Sequence, residues 1–264
     1  AGSTDVDVAI LGAGFTGLWT AYYLLQRDPS LKIAIVEKES AGFGASGRNG
    51  GWCFAGFPIG PVELLQQHGY DAARMVSLEM YKSVDEVGRV CEAEGIDAHY
   101  AKGGEMEVAR AEYDLPKLQR MYDGFRAVDL EDHYRLLDAD ETRDHINVEK
   151  ALGSFHNREG AAIQPARLAR GLARAVERLG GTIYEQTAVI RFTPNPNPSL
   201  VTERGTVRAK TVVLAGEAYL SAIPGMERKI IPMTAHIVVT EPLGEDIWEQ
   251  IHWRERDVLG GWGV

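Results

Sequence analysis

Two spacings of apolar residues recur along the chain. Val6-Asp7-Val8-Ala9-Ile10-Leu11 and Lys32-Ile33-Ala34-Ile35-Val36 are short, mostly apolar runs, the pattern of parallel strands covered on both faces. Thr211-Val212-Val213-Leu214-Ala215-Gly216 is a third such run and ends in small residues. Helical spacing predicts helices over residues 18–26, 62–67, 72–94, 113–125 and 165–179. Pro61 stands just inside a helix start, where its missing N–H costs nothing, and Gly180-Gly181 stops the last helix. In the longest helix Met75, Leu78, Val84, Val87 and Cys91 form the core-facing stripe. Residues 105–109 alternate like a strand with one wet face, and Asp138 with Glu141 reads as a capping box opening a short helix. Residues 52–60 read as a loop and 151–163 as strand and turn. Residues 182–185 read as a strand, 193–199 as a turn-rich break, 201–207 as a hairpin and 229–243 as one long strand.

Composition narrows the class only a little. The 264 residues are 45% hydrophobic and 25% charged, enough for a sizeable core in one or two domains. A formal net charge of -10 argues against nucleic acid or an anionic membrane as the main partner. Cys53 and Cys91 are the only cysteines, which argues against a disulfide framework or a zinc cluster, and no metal site is expected. The first residues are polar, and no apolar run approaches the ~18 residues of a membrane span. A cytoplasmic enzyme is the expectation.

The chemistry starts where the first strand meets the first helix. Gly12-Ala13-Gly14-Phe15-Thr16-Gly17 is G-x-G-x-x-G between a strand and a helix, the context a dinucleotide-binding turn requires. Gly12 permits the tight turn, Gly14 a close approach of backbone to a pyrophosphate, and Gly17 the packing of helix on strand. The helix N-terminus offers N–H groups and a positive dipole end to phosphate. Glu37 closes the second strand 20 residues past Gly17, placed to accept from a ribose diol and to disfavour a 2′-phosphate. Five glycines follow between residues 42 and 51, interleaved with Ser46, Arg48 and Asn49. Such a loop suits close approach to a large planar ligand.

Gly12-x-Gly14-x-x-Gly17, Glu37-Lys38 and Gly44-Ala45-Ser46-Gly47-Arg48-Asn49-Gly50-Gly51 together resemble the FAD-dependent amine and amino-acid oxidoreductases, the superfamily of D-amino-acid oxidase, glycine oxidase and sarcosine oxidase. The loop is most similar to the gamma-glutamylputrescine oxidase-like branch. The resemblance implies an α/β fold: a Rossmann-like FAD-binding domain from residues 1–55, 160–192 and 206–228, and a second, mixed-sheet α+β substrate domain from 56–159 and 229–264. It implies that Gly12, Gly14, Phe15, Thr16, Gly17, Glu37, Lys38, Ala45, Ser46, Arg48, Asn49, Gly50 and Gly51 bind FAD. Val189 would meet the adenine through its backbone, and Ala215 and Gly216 the cofactor at a strand end. None of residues 44–51 is histidine, so covalent attachment of flavin there is not implied. The strand over 229–243 would wall the site, with His236 facing either the site or solvent.

The implied activity is oxidation of an amine or amino acid by hydride transfer to flavin N5, with hydrolysis of the imine and reoxidation by O2 or a quinone. The cofactor carries the hard chemistry, so no catalytic side chain is singled out. Gly12 to Glu37 alone also fits an NAD-dependent dehydrogenase, which gives the 44–51 loop no role. The family pattern continues beyond residue 264 with further strands and a glycine-rich segment. A fragment, a subunit completed by another chain and a shortened relative all fit that difference. Each leaves open whether the chain is catalytic by itself, and none names the amine.

Overall fold

A computed structural model of the chain describes residues 2–253 and 257–261. Its elements in chain order are β1 (Thr4–Leu11), α1 (Phe15–Arg27), β2 (Ile33–Val36), β3 (Trp52–Cys53), α2 (Pro61–His68), α3 (Tyr70–Glu94), β4 (Glu105–Ala109) and α4 (Leu115–Arg126). There follow β5 (Tyr134–Asp138), α5 (Ala139–His145), β6 (Gly153–Asn157), β7 (Ala161–Ala162), α6 (Pro165–Arg178), β8 (Thr182–Tyr184), β9 (Val189–Thr193), β10 (Ser199–Thr202), β11 (Gly205–Leu214), α7 (Glu245–Ile251) and β12 (Val258–Gly261). They fall into two compact units. Unit 1 runs through Gly50 and adds Ala93–Ala98 and Gln164–Ile237; unit 2 holds Gly51–Glu92, His99–Ile163 and the chain from Val238 onward.

Unit 1 is built on a six-stranded sheet in the order β8-β2-β1-β11-β10-β9. The first four strands are parallel, and the hairpin of β10 and β9 extends the sheet antiparallel from β11. The apolar runs take the inner places because a strand between two others, packed on both faces, has no wet side. Ala9 lies beside Ala34 and, with Val36, Leu200 and Val207, forms a core cluster. Ile10 and Ile35, a matched pair pointing the other way, are fully buried. α1 buries Leu18, Ala21, Tyr22 and Leu25, and α6 buries Leu168, Leu172 and Val176. At about 25 cal/mol per Å2, each such leucine or valine side chain stabilises the fold by roughly 2 kcal/mol.

Unit 2 has a four-stranded sheet in the order β12-β4-β6-β5 and a two-stranded ribbon of β3 with β7. Its core is aromatic. The rings of Phe125 and Tyr134 stack at 3.8 Å between centroids, and Tyr134 and Phe155 at 5.1 Å. The hydroxyls of Tyr81 and Tyr134 meet at 2.6 Å inside it. The capping box forms: the Asp138 side chain accepts from the Asp140 and Glu141 amides, and Glu141 accepts from the Asp138 amide.

The structure departs from the sequence reading at four places. The stretch over 229–243 forms no strand; Ile231, Met233, Val238 and Val239 are more than four-fifths exposed. Strand propensity needs a neighbouring ladder, and none lies beside this stretch among the described residues. His236, within it, is exposed. The buried stripe of α3 is Ala73, Ser77, Tyr81, Val84, Val90 and Cys91, and Met75 faces out, because small residues and a tyrosine take the packed side. β4 has no wet face: side chains on both its faces are covered, with Glu105 buried and Glu107 half-buried. Residues 52–53, read as loop, form β3, whereas the turn-rich break at 193–199 is, as read, a hairpin tip, between β9 and β10. Among the described residues no helix is long and apolar enough to cross a membrane.

Candidate functional site

The C-terminal ends of β1, β2 and β11 open onto a cleft of about 250 Å3 in unit 1. β1 and β11 stay paired up to Leu11 and Leu214, and the cleft lies beyond the carboxyl ends of the strands, where open parallel sheets bind ligands. Gly12 makes the turn. Its φ is +101°, and a Cβ would lie 2.5 Å from the Ala215 carbonyl oxygen. Two backbone bonds set the approach: the Gly12 N–H donates to the Val36 carbonyl at 2.9 Å, and the Ala215 N–H to the Leu11 carbonyl at 2.8 Å. Gly17 lies beneath the turn, where a Cβ would stand 2.0 Å from the Gly12 carbonyl oxygen, so only glycine lets α1 pack so close.

α1 begins at Phe15 with Gly14 as its cap, and no side chain of the cap satisfies the first turn. The chain instead brings groups from far away. Ser46 Oγ accepts from the Phe15 N–H at 2.9 Å. Glu37 Oε2 accepts from the Ala13 N–H at 2.9 Å, and its Oε1 from the Glu39 N–H at 2.9 Å. The acid that ends β2 is thus clamped to the glycine turn.

Of the residues expected to contact the cofactor, Gly12, Gly14, Phe15, Thr16, Glu37, Lys38, Ala45, Ser46, Val189, Ala215 and Gly216 line this cleft. Gly17, Arg48, Asn49, Gly50 and Gly51 do not. The Arg48 guanidinium lies 4.3 Å from the Phe43 ring centre and donates to the Phe43 carbonyl. The Asn49 amide donates to the carbonyls of Ala45 at 3.1 Å and Ser46 at 3.2 Å. These two side chains brace the loop that carries Ser46. Gly51 belongs to unit 2, where its carbonyl accepts from the Ile163 N–H.

The cleft also contains residues that sequence reasoning passes over. Phe43, Tyr219, Ala222 and Ile223 give it an apolar wall, and Glu39 and Glu217 add carboxylates. Phe43 carries a signal, an aromatic residue inside a glycine-rich loop. Tyr219 to Ile223 carry none, because they sit on a short 3-10 turn after β11 with no periodicity to read. Glu217 has φ +48°, an uncommon backbone for a non-glycine residue, directly after the strand end.

These groups fit a dinucleotide carrying a diphosphate. The helix N-terminus and close-approach glycines suit phosphate, the Glu37 carboxylate suits a ribose diol, and Phe43, Val189, Tyr219 and Ile223 suit a planar ring. The sheet, turn and clamped acid define a Rossmann-type nucleotide-binding fold.

Comparison with known proteins identifies the relatives. Residues 7–263 match the family described as FAD dependent oxidoreductase. The chain is 31% identical over 248 residues to gamma-glutamylputrescine oxidoreductase of Escherichia coli (strain K12), covering 93% of this chain and 57% of that protein. It is 28% identical over 258 residues to the probable oxidoreductase OrdL of Haemophilus influenzae, covering 93% of this chain and 58% of that protein. Among solved structures, glycine oxidase from Geobacillus kaustophilus superposes with a TM-score of 0.69 at 25% identity, over 83% of this chain and 57% of that one. The chain belongs to the FAD dependent oxidoreductase family, whose cofactor is FAD. It spans less than two thirds of the length of each of these relatives.

Proposed function

We propose that unit 1 is the FAD domain and unit 2 the substrate domain of an oxidoreductase acting on the C–N bond of an amine or amino acid. The observation that carries this reading is the cleft itself, where the uncapped start of α1, the clamped Glu37 and the small end of β11 converge. In this reading the backbone of Gly12 to Thr16 holds the diphosphate, Glu37 orients the adenosine ribose, and Val189 lies at the adenine. Lys38, the one cation among the described residues lining the cleft, has its Nζ 3.9 Å from Glu39 Oε1. Phe43, Tyr219 and Ile223 keep water from the bound ring. FAD, when bound, supplies the two-electron chemistry, taking a hydride from the carbon beside the amine nitrogen and passing the electrons to O2 or a quinone. The names of the relatives favour a primary amine or a small amino acid as substrate.

The test is the absorbance spectrum of protein reconstituted with FAD, before and after anaerobic addition of gamma-glutamylputrescine, putrescine and glycine in turn. Flavin bands that bleach with one of them support the proposal and name the substrate class. Bound flavin that no amine or amino acid bleaches overturns the substrate reading, and failure to retain FAD overturns the assignment of the cleft.

A further inference from the structure

Unit 1 carries a second concave surface, away from the cleft. Arg167, Arg170, Arg174 and Arg178 stand at positions i, i+3, i+7 and i+11 of α6, so they form one stripe about 16 Å long. They face Glu94, Gly95, Ile96 and Asp97 across a groove of about 490 Å3, a volume within the range of small-molecule sites. In a chain of net charge -10, four guanidinium groups on one helix face reverse the local sign.

Three of the four are paired. Arg167 Nη1 reaches Asp97 Oδ2 at 2.6 Å, Arg170 Nη1 reaches Glu185 Oε1 at 2.6 Å, and Arg178 Nη2 reaches Glu94 Oε2 at 2.8 Å. Each engages its acid through one nitrogen and is about half exposed, which leaves other N–H donors of the planar fork directed elsewhere. Arg174, in the middle of the stripe, makes no ion pair among the described residues, not even with Glu177 one turn along. With the three acids paired, one guanidinium of the four, that of Arg174, is left without an ion pair in the groove, with Glu177 one turn along α6 and spare donors on either side. A surface ion pair by itself is worth little, but guanidinium donors lining a concavity are the recurring chemistry of phosphate and carboxylate capture.

We propose that this groove binds a small multiply charged anion, a phosphate or carboxylate compound, centred on Arg174 and held at its ends by Arg170 and Arg178. The groove is linked to the cofactor cleft by one atom. Glu185 Oε1, which takes the Arg170 guanidinium, also accepts the Ala41 N–H at 2.8 Å. Ala41 leads directly into Gly42, Phe43 and Gly44 of the cleft lining. An anion that draws Arg170 toward itself weakens the hold on Glu185 and so changes how firmly the loop is pinned. By linkage, FAD and the anion then change each other's affinity by the same factor. This second effect rests on the FAD reading of the cleft; binding in the groove does not.

The experiment is calorimetric titration of the protein, with excess FAD present, by inorganic tripolyphosphate and separately by citrate at about 100 mM salt, a strength that screens loose surface pairing. The expected result is saturable one-to-one binding of at least one probe. Arg174→Ala weakens it at least tenfold while melting temperature and FAD affinity without anion stay as in the native chain. The probe that binds tells phosphate from carboxylate. Absence of saturable binding by both probes, or native binding in Arg174→Ala, overturns the site. For the linkage, a saturating anion changes the FAD dissociation constant at least threefold in the native chain and not in Glu185→Gln; an FAD affinity indifferent to bound anion overturns it.

Discussion

Beside the cleft of unit 1, carboxylates rest on backbone amides: Glu37 on Ala13 and Glu39, and Glu185 on Ala41. In unit 2 three buried carboxylates depend on side chains. Glu159 accepts from His133, Lys102 and Arg158; Glu105 has Asn157; Asp257 has the Trp253 indole on one oxygen and no hydrogen-bond partner on the other among the described residues. The consequences differ. The Ala41 N–H, helped by Arg170, holds Glu185 below the usual carboxylate range. For Glu159 burial pushes up, but the hydrogen bonds of His133, Lys102 and Arg158 outweigh it and the net shift is downward. Glu105, with only a neutral amide beside it and Glu107 nearby, is pushed up by burial to about 7, and burial also raises Asp257. The Ala41 amide comes with the fold and favours the charged form of Glu185, whereas burial beside a neutral neighbour favours the protonated form of Glu105, so the sheet of unit 2 carries a pH-sensitive acid.

Substitution at the glycine turn is the strongest way to break this contrast. Gly17→Val puts side-chain atoms into the Gly12 carbonyl and forces α1 off β1. FAD affinity is expected to fall at least 100-fold, about 2.8 kcal/mol, measured by quenching of flavin fluorescence. Affinity within tenfold of native would take the turn out of the FAD site.

The next effect is in unit 2. Because the folded pKa of Glu105 lies above its ordinary 4.5, stability from this group is greatest below that value and is lost as pH rises toward 7. Urea unfolding at pH 5 and pH 8 should differ by on the order of 2 kcal/mol from this residue, and Glu105→Gln should remove most of the difference. A pH dependence of stability unchanged in the variant would refute the buried-acid account.

Smaller effects sharpen the picture of unit 1. Glu37→Gln keeps the shape but loses the negative charge and one of two acceptor oxygens, so FAD should bind about tenfold more weakly, a cost of about 1.4 kcal/mol. The same titration should give a loss of only about threefold for Ser46→Ala, whose hydroxyl satisfies the Phe15 amide, roughly 0.7 kcal/mol, a neutral hydrogen bond near the low end. If Ser46→Ala costs more than Glu37→Gln, the hydroxyl rather than the acid sets the turn.

Unit 1 was legible to the extent that its requirements are local. Strand, glycine turn and helix follow one another in sequence, and the acid that closes the turn stands at a fixed distance along the chain. The direction of the loop side chains was not legible: the composition around Arg48 and Asn49 shows hydrogen-bonding capacity but not that it is spent on the loop's own carbonyls. Tyr219 and Ile223 reach the cleft from a turn without periodicity. In unit 2 the alternation around Glu105 and Glu107 resembles a wet face, because sequence shows polarity but not the packing that covers it. The β-branched residues of 229–243 announce a strand, yet a ladder is a property of two segments.

The pairing of β1 with β11 joins Thr4 to Val207 and Leu11 to Leu214, segments about 200 residues apart. Closing a loop of that length costs little more free energy than closing one half as long, but long-range parallel pairing is slow. During synthesis β1, α1 and β2 emerge together and can dock early, leaving one flank of β1 as a bare edge until β11 has left the ribosome. Between the emergence of β2 and that of β11 the nascent chain therefore carries half of the nucleotide site beside an unpaired apolar strand, the kind of surface that chaperones shield.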